Sequence, residues 1–262
     1  MVLESLINLE EARKRPLWLM ILSGFMTTIS VLVASFLFPN NIGMFSVVFT
    51  TFALLPFMVK LMKHEVKEEE LEEIRKKSFF QAHEFVLKVY TMLFVGEVLA
   101  YLILYMMLPQ SIVSKIFNDQ INQINLIRGH FTAFETYSKI VSNNLMVLTL
   151  AIILSFLYSS GAIFILSWNA SILAAAIGIT AKSFGGAIGV PLAILVFLPH
   201  GSLEILAYFL GGIAGGIISA EITRKKSRWM KYVFWDALAL ITLSILLIIV
   251  AGAVETLSIY LK

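Results

Sequence analysis

The chain has 262 residues, of which 59% are apolar and 14% are charged, and its mean hydropathy is +0.88. Soluble domains have about 45–50% apolar and about 25% charged residues, so this composition excludes an ordinary soluble fold and a disordered chain. The net charge of +3 without a basic stripe argues against nucleic-acid binding, and the lack of cysteine excludes disulfides and zinc–thiolate sites.

Apolar runs divide the chain into membrane-spanning segments. A helix needs about 20 apolar residues to cross a hydrocarbon core of about 30 Å, and its backbone polar groups must be satisfied internally. We therefore predict an all-α polytopic membrane protein with about seven transmembrane helices. The predicted spans are Pro16–Phe38, Ile42–Met62, Phe85–Leu108, Leu145–Trp168, 170–198, Gly201–Ile222 and Tyr232–Tyr260.

The stretch 170–198 is the least regular of these runs, because Lys182, Gly185-Gly186 and Pro191 interrupt it. We predict a crossing helix that is broken near 182–191. A re-entrant piece followed by a short span is the alternative. Pro199 is predicted to start the next helix, since proline suits the first helical position.

The distribution of Lys and Arg predicts the orientation. With seven crossings and a cytoplasmic N-terminus, 15 basic residues fall on the cytoplasmic side, 4 fall outside, and Lys182 lies in the broken segment. The chain is thus predicted to be a multi-pass protein of the cell membrane with an extracytoplasmic C-terminus. A re-entrant 170–198 would instead place the C-terminus inside.

Two domains are expected. Residues 1–79 are predicted to be an N-terminal extension with two spans and a charged cytoplasmic helix, and residues 80–262 to be the core membrane domain. Within the core, 110–142 has apolar residues at helical spacing. This predicts an extracytoplasmic amphipathic helical segment that packs on the bundle, lies on the membrane surface or contacts another subunit.

The most informative polar residues are the few inside the predicted membrane region, because an ionisable side chain there costs about 2.5–3.5 kcal/mol. Such residues tend to be paired or functional. His200 and Glu204 are four residues apart and share one helical face. Under the predicted topology, Glu255 and the pair Asn143-Asn144 lie at a similar depth.

We therefore predict a polar intramembrane cluster of these five residues. It either fixes helix packing or binds an ion, a proton or a solute. No cofactor is expected. If a metal binds, His200 and Glu204 are the candidate ligands.

Secondary candidates are Glu97 and Lys182, which are expected to pair near the membrane midplane, and Asp236, which is expected to pair with Lys231 or cap a helix. Gly201 is expected to let another backbone come close. Small residues four positions apart in a helix predict close helix packing, within the chain or between subunits. The small residues in this pattern are Gly211, Gly212, Gly215 and Gly216.

The string LPHGSLEILAYFLGGIAGG at 198–216 resembles the Pro199-His200-Gly201-x-x-Glu204 signature of the stage II sporulation protein M family. The similarity extends over residues 80–260. It includes the helix start Asn143-Asn144, a central helical glycine at Gly161, a turn at Asn169 and the late acidic residue Glu255. Ala170 replaces the glycine that follows this asparagine in the family, and 180–190 matches no family pattern.

This resemblance implies a membrane scaffold, since founding members anchor peptidoglycan-degrading partners during engulfment and are not hydrolases themselves. No metalloprotease helix, nucleophile elbow, P-loop or dinucleotide fingerprint occurs in the sequence. The first hypothesis is therefore a non-catalytic integral membrane scaffold, and the alternative is a transporter or channel-like protein. A metal-dependent intramembrane hydrolase is a third, more distant one.

The lipid bilayer is the expected partner. A homo-oligomer and a membrane or extracytoplasmic protein partner both stay open. The cysteine-free composition, rich in Lys and Glu, favours a relative from a thermophile, in particular an archaeon.

Overall fold

The computed structural model describes residues 9–69, 79–127, 132–223 and 230–260, and every secondary-structure element in these ranges is helical. The helices are α1 (Leu9–Lys14), α2 (Leu17–Leu37), α3 (Ile42–Glu69), α4 (Phe79–Ala82), α5 (Glu84–Met107), α6 (Gln110–Ile116), α7 (Asn118–Ile127), α8 (Ala133–Tyr158), α9 (Ala162–Ser183), α10 (Val190–Thr223) and α11 (Met230–Tyr260). Within these ranges, α2, α3, α5 and α8–α11 are long and apolar enough to cross a membrane. The predicted all-α polytopic class and the count of seven candidate spans are confirmed.

Successive spans alternate in direction. At one end of the bundle, the proximal end, His83 Nε2 lies 3.0 Å from Asp236 Oδ2 and joins the starts of α5 and α11. At the opposite, distal end, Lys182 Nζ donates to Gln110 Oε1 at 2.8 Å and joins the end of α9 to the start of α6. Asp236 thus pairs with His83 rather than with Lys231. The expected pair of Lys182 with Glu97 is wrong, because Lys182 lies at the end of its helix.

The boundary between the fourth and fifth spans differs from the prediction. α8 ends at Tyr158 and α9 begins at Ala162, so the predicted span Leu145–Trp168 is divided between two helices. Ser159 turns the chain with a φ of 59°. Gly161 is not a central helical glycine but lies in this turn, where a Cβ would overlap the carbonyl oxygen of Leu154. The apolar composition continues through the turn, which is why hydropathy does not mark it.

The predicted break near 182–191 is a connection between two spans. α9 continues to Ser183, and a 3₁₀ turn at Gly186–Gly189 leads into α10. Gly185 and Gly186 have φ values of 97° and 80°, in the left-handed region that favours glycine. These two residues therefore stop α9 and reverse the chain at the distal end, and no single helix covers 170–198.

Helix α10 is longer than the predicted span Gly201–Ile222, because it also includes the last part of 170–198. Pro199 lies inside this helix and does not start it. The helix lies at the centre of the bundle, and its glycines allow this. A Cβ at Gly211 would overlap Leu148 of α8, and one at Gly215 would overlap the carbonyl oxygen of Ile152.

The other two small residues of this pattern are also enclosed by the chain. A Cβ at Gly212 would come within 2.7 Å of Ala162, and one at Gly216 within 2.7 Å of Met62 Sδ. All four glycines therefore pack against neighbouring helices of the same chain.

The segment that follows α5 packs into the bundle instead of lying on top of it. Val113 of α6 and Phe117 are fully buried. In α7, Gln120 Nε2 donates to Ser171 Oγ at 3.1 Å, near the middle of α9. Packing within the chain therefore explains the apolar residues at helical spacing in 110–124. Part of the predicted charged helix falls on 70–78, and the middle of the amphipathic segment 110–142 falls on 128–131. Both stretches lie outside the described residues.

Candidate functional site

A cavity of about 700 Å³ lies in the distal half of the bundle between α5, α7, α8, α9, α10 and α11. The residues that line it are Phe94, Ile124, Thr136, Asn169, Ile172, Leu173, Ala176, Thr180, Val196, Phe197, His200, Gly201, Glu204, Ile205, Tyr208, Glu255, Ser258, Ile259 and Tyr260. Its acidic lining residues are Glu204 and Glu255, and no Lys or Arg is among the lining residues that the structure describes. The cavity is therefore an acidic space inside an apolar bundle.

The parallel packing of α8 on α10 positions the first acidic group. Asn144 Nδ2 donates a hydrogen bond to Glu204 Oε1 at 2.7 Å. Ser159 and Ser219 meet with an Oγ–Oγ distance of 3.0 Å farther along the same two helices. Both pairs are separated by the same number of residues, so the two helices stay in register between them. The Asn144 amide therefore holds the Glu204 carboxyl at a fixed place on the cavity wall.

The neighbouring asparagine, Asn143, supports Asn144. Asn143 Nδ2 donates to Asn144 Oδ1 at 3.3 Å, and Asn144 is buried. Asn143 does not line the cavity. It acts on the site only through Asn144, whose amide oxygen it occupies while the amide nitrogen binds Glu204.

Helix α11 supplies the other carboxyl group. Glu255 lies beside Glu204, and the two carboxyl groups interact electrostatically, so two acidic groups share one part of the cavity. Tyr208 lies one helical turn after Glu204, and both carboxyl groups act on its hydroxyl electrostatically. Three helices, α8, α10 and α11, thus bring an amide, two carboxyls and a phenol together.

His200 lies one turn before Glu204 and lines the same cavity, as their spacing predicts. The side chain is buried, and its ring packs edge-on against Phe197 with the centroids 6.0 Å apart. Among the described residues no group of three or more His, Cys, Asp or Glu side chains is placed to hold a metal ion. The expected metal ligands His200 and Glu204 therefore share a cavity without forming such a group.

Two other residues singled out from the sequence also lie at this cavity. Asn169 is inside α9 rather than in a turn, and its Nδ2 donates to the Ile165 carbonyl oxygen at 2.7 Å. Gly201 borders the cavity, but no atom lies within 4 Å of the place where its Cβ would be. The expectation that Gly201 lets another backbone come close is therefore wrong.

Glu97 occupies a separate place in the middle of α5. Its side chain is 1% exposed, and neither carboxyl oxygen has a hydrogen-bond partner among the described residues. Ser167 of α9 is its polar neighbour. The adjacent Gly96 presses on α2, because a Cβ there would overlap the Met20 carbonyl and the Ser23 hydroxyl. Glu97 does not line the acidic cavity.

Several polar residues of the cavity were missed from the sequence. Tyr208 follows Glu204 at the same four-residue spacing that links His200 to Glu204, so helical periodicity would have found it. Thr136 and Tyr260 close the distal end, with 3.1 Å between Thr136 Oγ1 and the Tyr260 hydroxyl. No local pattern signals this contact, because its partners are 124 residues apart.

The family model for Stage II sporulation protein M matches residues 88–258, which is more than half of the chain. The chain belongs to the stage II sporulation protein M family. The match runs from α5 to α11 and includes every cavity-lining residue except Ile259 and Tyr260. No curated protein and no solved structure matches the chain. In this member of the stage II sporulation protein M family, the signature residues His200, Gly201 and Glu204 all border one cavity.

Proposed function

We propose that this chain is a transporter or channel-like membrane protein that takes a cation or a small cationic solute into the cavity lined by Glu204 and Glu255. One observation carries the proposal. Two acidic side chains meet in a cavity of about 700 Å³ whose described lining contains no Lys or Arg. Such a space attracts positive charge and excludes anions.

The surroundings of the carboxyl groups support binding rather than packing alone. A cluster that only fixes helix packing has no need of an adjoining space, whereas a binding site does. Two facing carboxyl groups repel when both are ionised, and a bound cation or a shared proton removes that repulsion. Asn144 orients Glu204 with a 2.7 Å hydrogen bond, so the carboxyl group is positioned before any ligand arrives.

Binding and flux of small cations test the proposal. The purified chain in nanodiscs is titrated with butylamine, and proteoliposomes are assayed for flux of Na⁺, K⁺, H⁺ and methylammonium. We expect saturable binding of butylamine and flux of at least one cation. Glu204→Gln keeps the size of the side chain and removes its charge, so both signals should fall by at least about tenfold, because a charged partner contributes about 1.5–3 kcal/mol.

Glu84→Gln is the matched control, because Glu84 is an exposed carboxyl at the start of α5 and does not line the cavity. It removes the same charge and should change neither signal. Absence of both binding and flux in the folded wild-type protein would reject the proposal, and equal losses in the two variants would show that the cavity is not the site.

A second candidate function is a non-catalytic scaffold that anchors partner proteins, and family membership favours it. A scaffold forms a complex of fixed composition, whereas a transporter needs only copies of itself. Native mass spectrometry of the protein extracted from its own membrane in mild detergent distinguishes them. A second protein at constant stoichiometry supports the scaffold, and a chain found alone or only with itself argues against it.

The proposed orientation places the N-terminus and the proximal end in the cytoplasm, and the cavity in the outer half of the membrane. The cysteine-free sequence allows a direct test. Ser111→Cys at the distal end and Lys231→Cys at the proximal end both replace exposed residues. A membrane-impermeant thiol reagent applied to intact cells should label the first and spare the second, and the reverse result would invert the topology.

A further inference from the structure

A second cavity of about 540 Å³ lies beside the acidic one, between α5, α9 and α10. Thr91 and Ser202 are its polar lining residues among those described, and the remaining lining side chains are aliphatic or aromatic. It opens toward the surrounding lipid, since Leu99 and Leu198 are 40% and 54% exposed. We call this cavity the apolar groove.

The apolar groove has the dimensions of an extended alkyl chain. On α5 it is lined from Leu87 to Leu102, and at 1.5 Å per residue these 15 steps cover about 22 Å. One leaflet of the hydrocarbon core is about 15 Å deep. A single alkyl chain therefore fits along the groove in an extended conformation.

The two cavities share part of their walls. Phe94, Leu173, Phe197, Gly201 and Ile205 line both. At Gly201 this shared wall has no side chain, and open space lies where a Cβ would be. Its neighbours in the signature face different sides, with His200 on the acidic cavity and Ser202 on the apolar groove.

From this arrangement we infer that the ligand is an amphiphile with a cationic amine head and one alkyl chain. The head lies against Glu204 and Glu255, and the chain passes Gly201 into the apolar groove. The inference rests on the proposed function and specifies its substrate class. Charge selects the head, since the described lining of both cavities contains two carboxyls and no Lys or Arg. An anionic head would meet these carboxyls with only the His200 imidazole as a base beside them.

A series of ligands with one head group and increasing chain length tests the inference. The purified chain in phosphocholine nanodiscs is titrated with butylamine, octylamine and dodecylamine. The same titrations of Glu204→Gln measure partition into the bilayer and are subtracted. We expect the specific affinity to rise at least about tenfold from butylamine to dodecylamine, because each added methylene group gains apolar contact in the groove.

A bulky residue in the groove should remove this gain. Val95 lines the groove, not the acidic cavity, and it is 36% exposed toward lipid. Val95→Trp fills the groove and should make the three affinities equal, and Leu99→Trp is the second variant if the first does not fold. Leu32→Trp places the same bulk on the lipid-facing side of α2, so it should keep the dependence on chain length.

The outcomes separate this inference from the proposed function. If butylamine binds as tightly as dodecylamine, the inference of an amphiphilic ligand is wrong, whereas the proposed cation-binding site is unaffected. If no amine binds, the amphiphilic ligand is wrong, and if cation flux is absent as well, the proposed function itself is wrong. If 1-dodecanol or dodecyl phosphate binds as tightly as dodecylamine, the assignment of a cationic head is wrong. If the dependence on chain length survives in Val95→Trp and Leu99→Trp, the assignment of the alkyl chain to the apolar groove is wrong.

Discussion

The bundle holds buried acidic residues in two regions with opposite surroundings. Glu204 and Glu255 line a cavity and interact with each other, and Glu204 accepts a hydrogen bond from the Asn144 amide. Glu97 is sealed between helices and has no hydrogen-bond partner among the described residues. Burial alone therefore does not identify a binding site in a membrane protein. The decisive difference is whether a space adjoins the carboxyl group and whether neighbouring side chains orient it.

The largest expected effect concerns the glycine beside the sealed carboxyl. Gly96→Ala places a Cβ against the Met20 backbone carbonyl and the Ser23 hydroxyl, so α2 and α5 must separate. Because backbone cannot move aside as a side chain can, we expect a loss of about 3 kcal/mol or more in stability. Thermal unfolding of the purified protein measures it, and an unchanged Tm would show that this contact is not tight.

The two carboxyl regions should respond with opposite signs to the same substitution. Glu97→Met removes an unpartnered buried carboxyl and should raise the stability by about 1–3 kcal/mol. Glu204→Met leaves the Asn144 amide and the Glu255 carboxyl without their partner and should lower it by a similar amount. Denaturant unfolding of both variants in one detergent gives the two values. Shifts of equal sign would remove the distinction between the regions.

A smaller effect is expected at the asparagine pair. Asn144→Ala removes the donor to Glu204 in a buried position, at a cost of about 1–2 kcal/mol. Asn143→Ala removes only a 3.3 Å contact to Asn144 and should cost about 0.5 kcal/mol. The difference between the Tm values of the two variants tests whether Asn143 supports Glu204 only through Asn144. Equal losses would place both residues in direct support of Glu204.

A small change of the opposite sign is expected at the glycine beside the open cavity. Gly201→Ala adds a Cβ where no atom lies within 4 Å. Since glycine is a poor residue inside a helix, the substitution should stabilise the protein by about 0.5–1 kcal/mol. A clear loss of stability would mean that the space beside Gly201 is filled. Gly96→Ala provides the contrast, because the same substitution beside Glu97 is predicted to be severe.

The spans were predictable because length and hydropathy suffice to find them. The boundary between the fourth and fifth spans was not predictable, since apolar residues continue from α8 into α9 through the turn at Ser159–Gly161. Lys182 and Gly185-Gly186 were recognised as an interruption. Because the actual partner of Lys182, Gln110, is distant in sequence, the sequence did not distinguish a broken helix from a connection between two helices.

The candidate site was predictable where its residues share one helix. The spacing of His200 and Glu204 places them on one face, and the depth argument adds Glu255 and Asn144 from other helices. Gln120 and the openness beside Gly201 were not predictable. Both depend on how helices distant in sequence pack, and a glycine looks the same in sequence whether it faces a backbone or an empty space.

Proline at position 199 has a mechanical consequence for both cavities. Its nitrogen carries no hydrogen, so the carbonyl of Leu195 lacks its regular helical bond, and the ring crowds the turn before it. The helix α10 is therefore weakened at a point directly before His200. Residues on both sides of it, such as Phe197 and Ile205, line both cavities. A bend there therefore changes the width of the acidic cavity and of the apolar groove in a single movement.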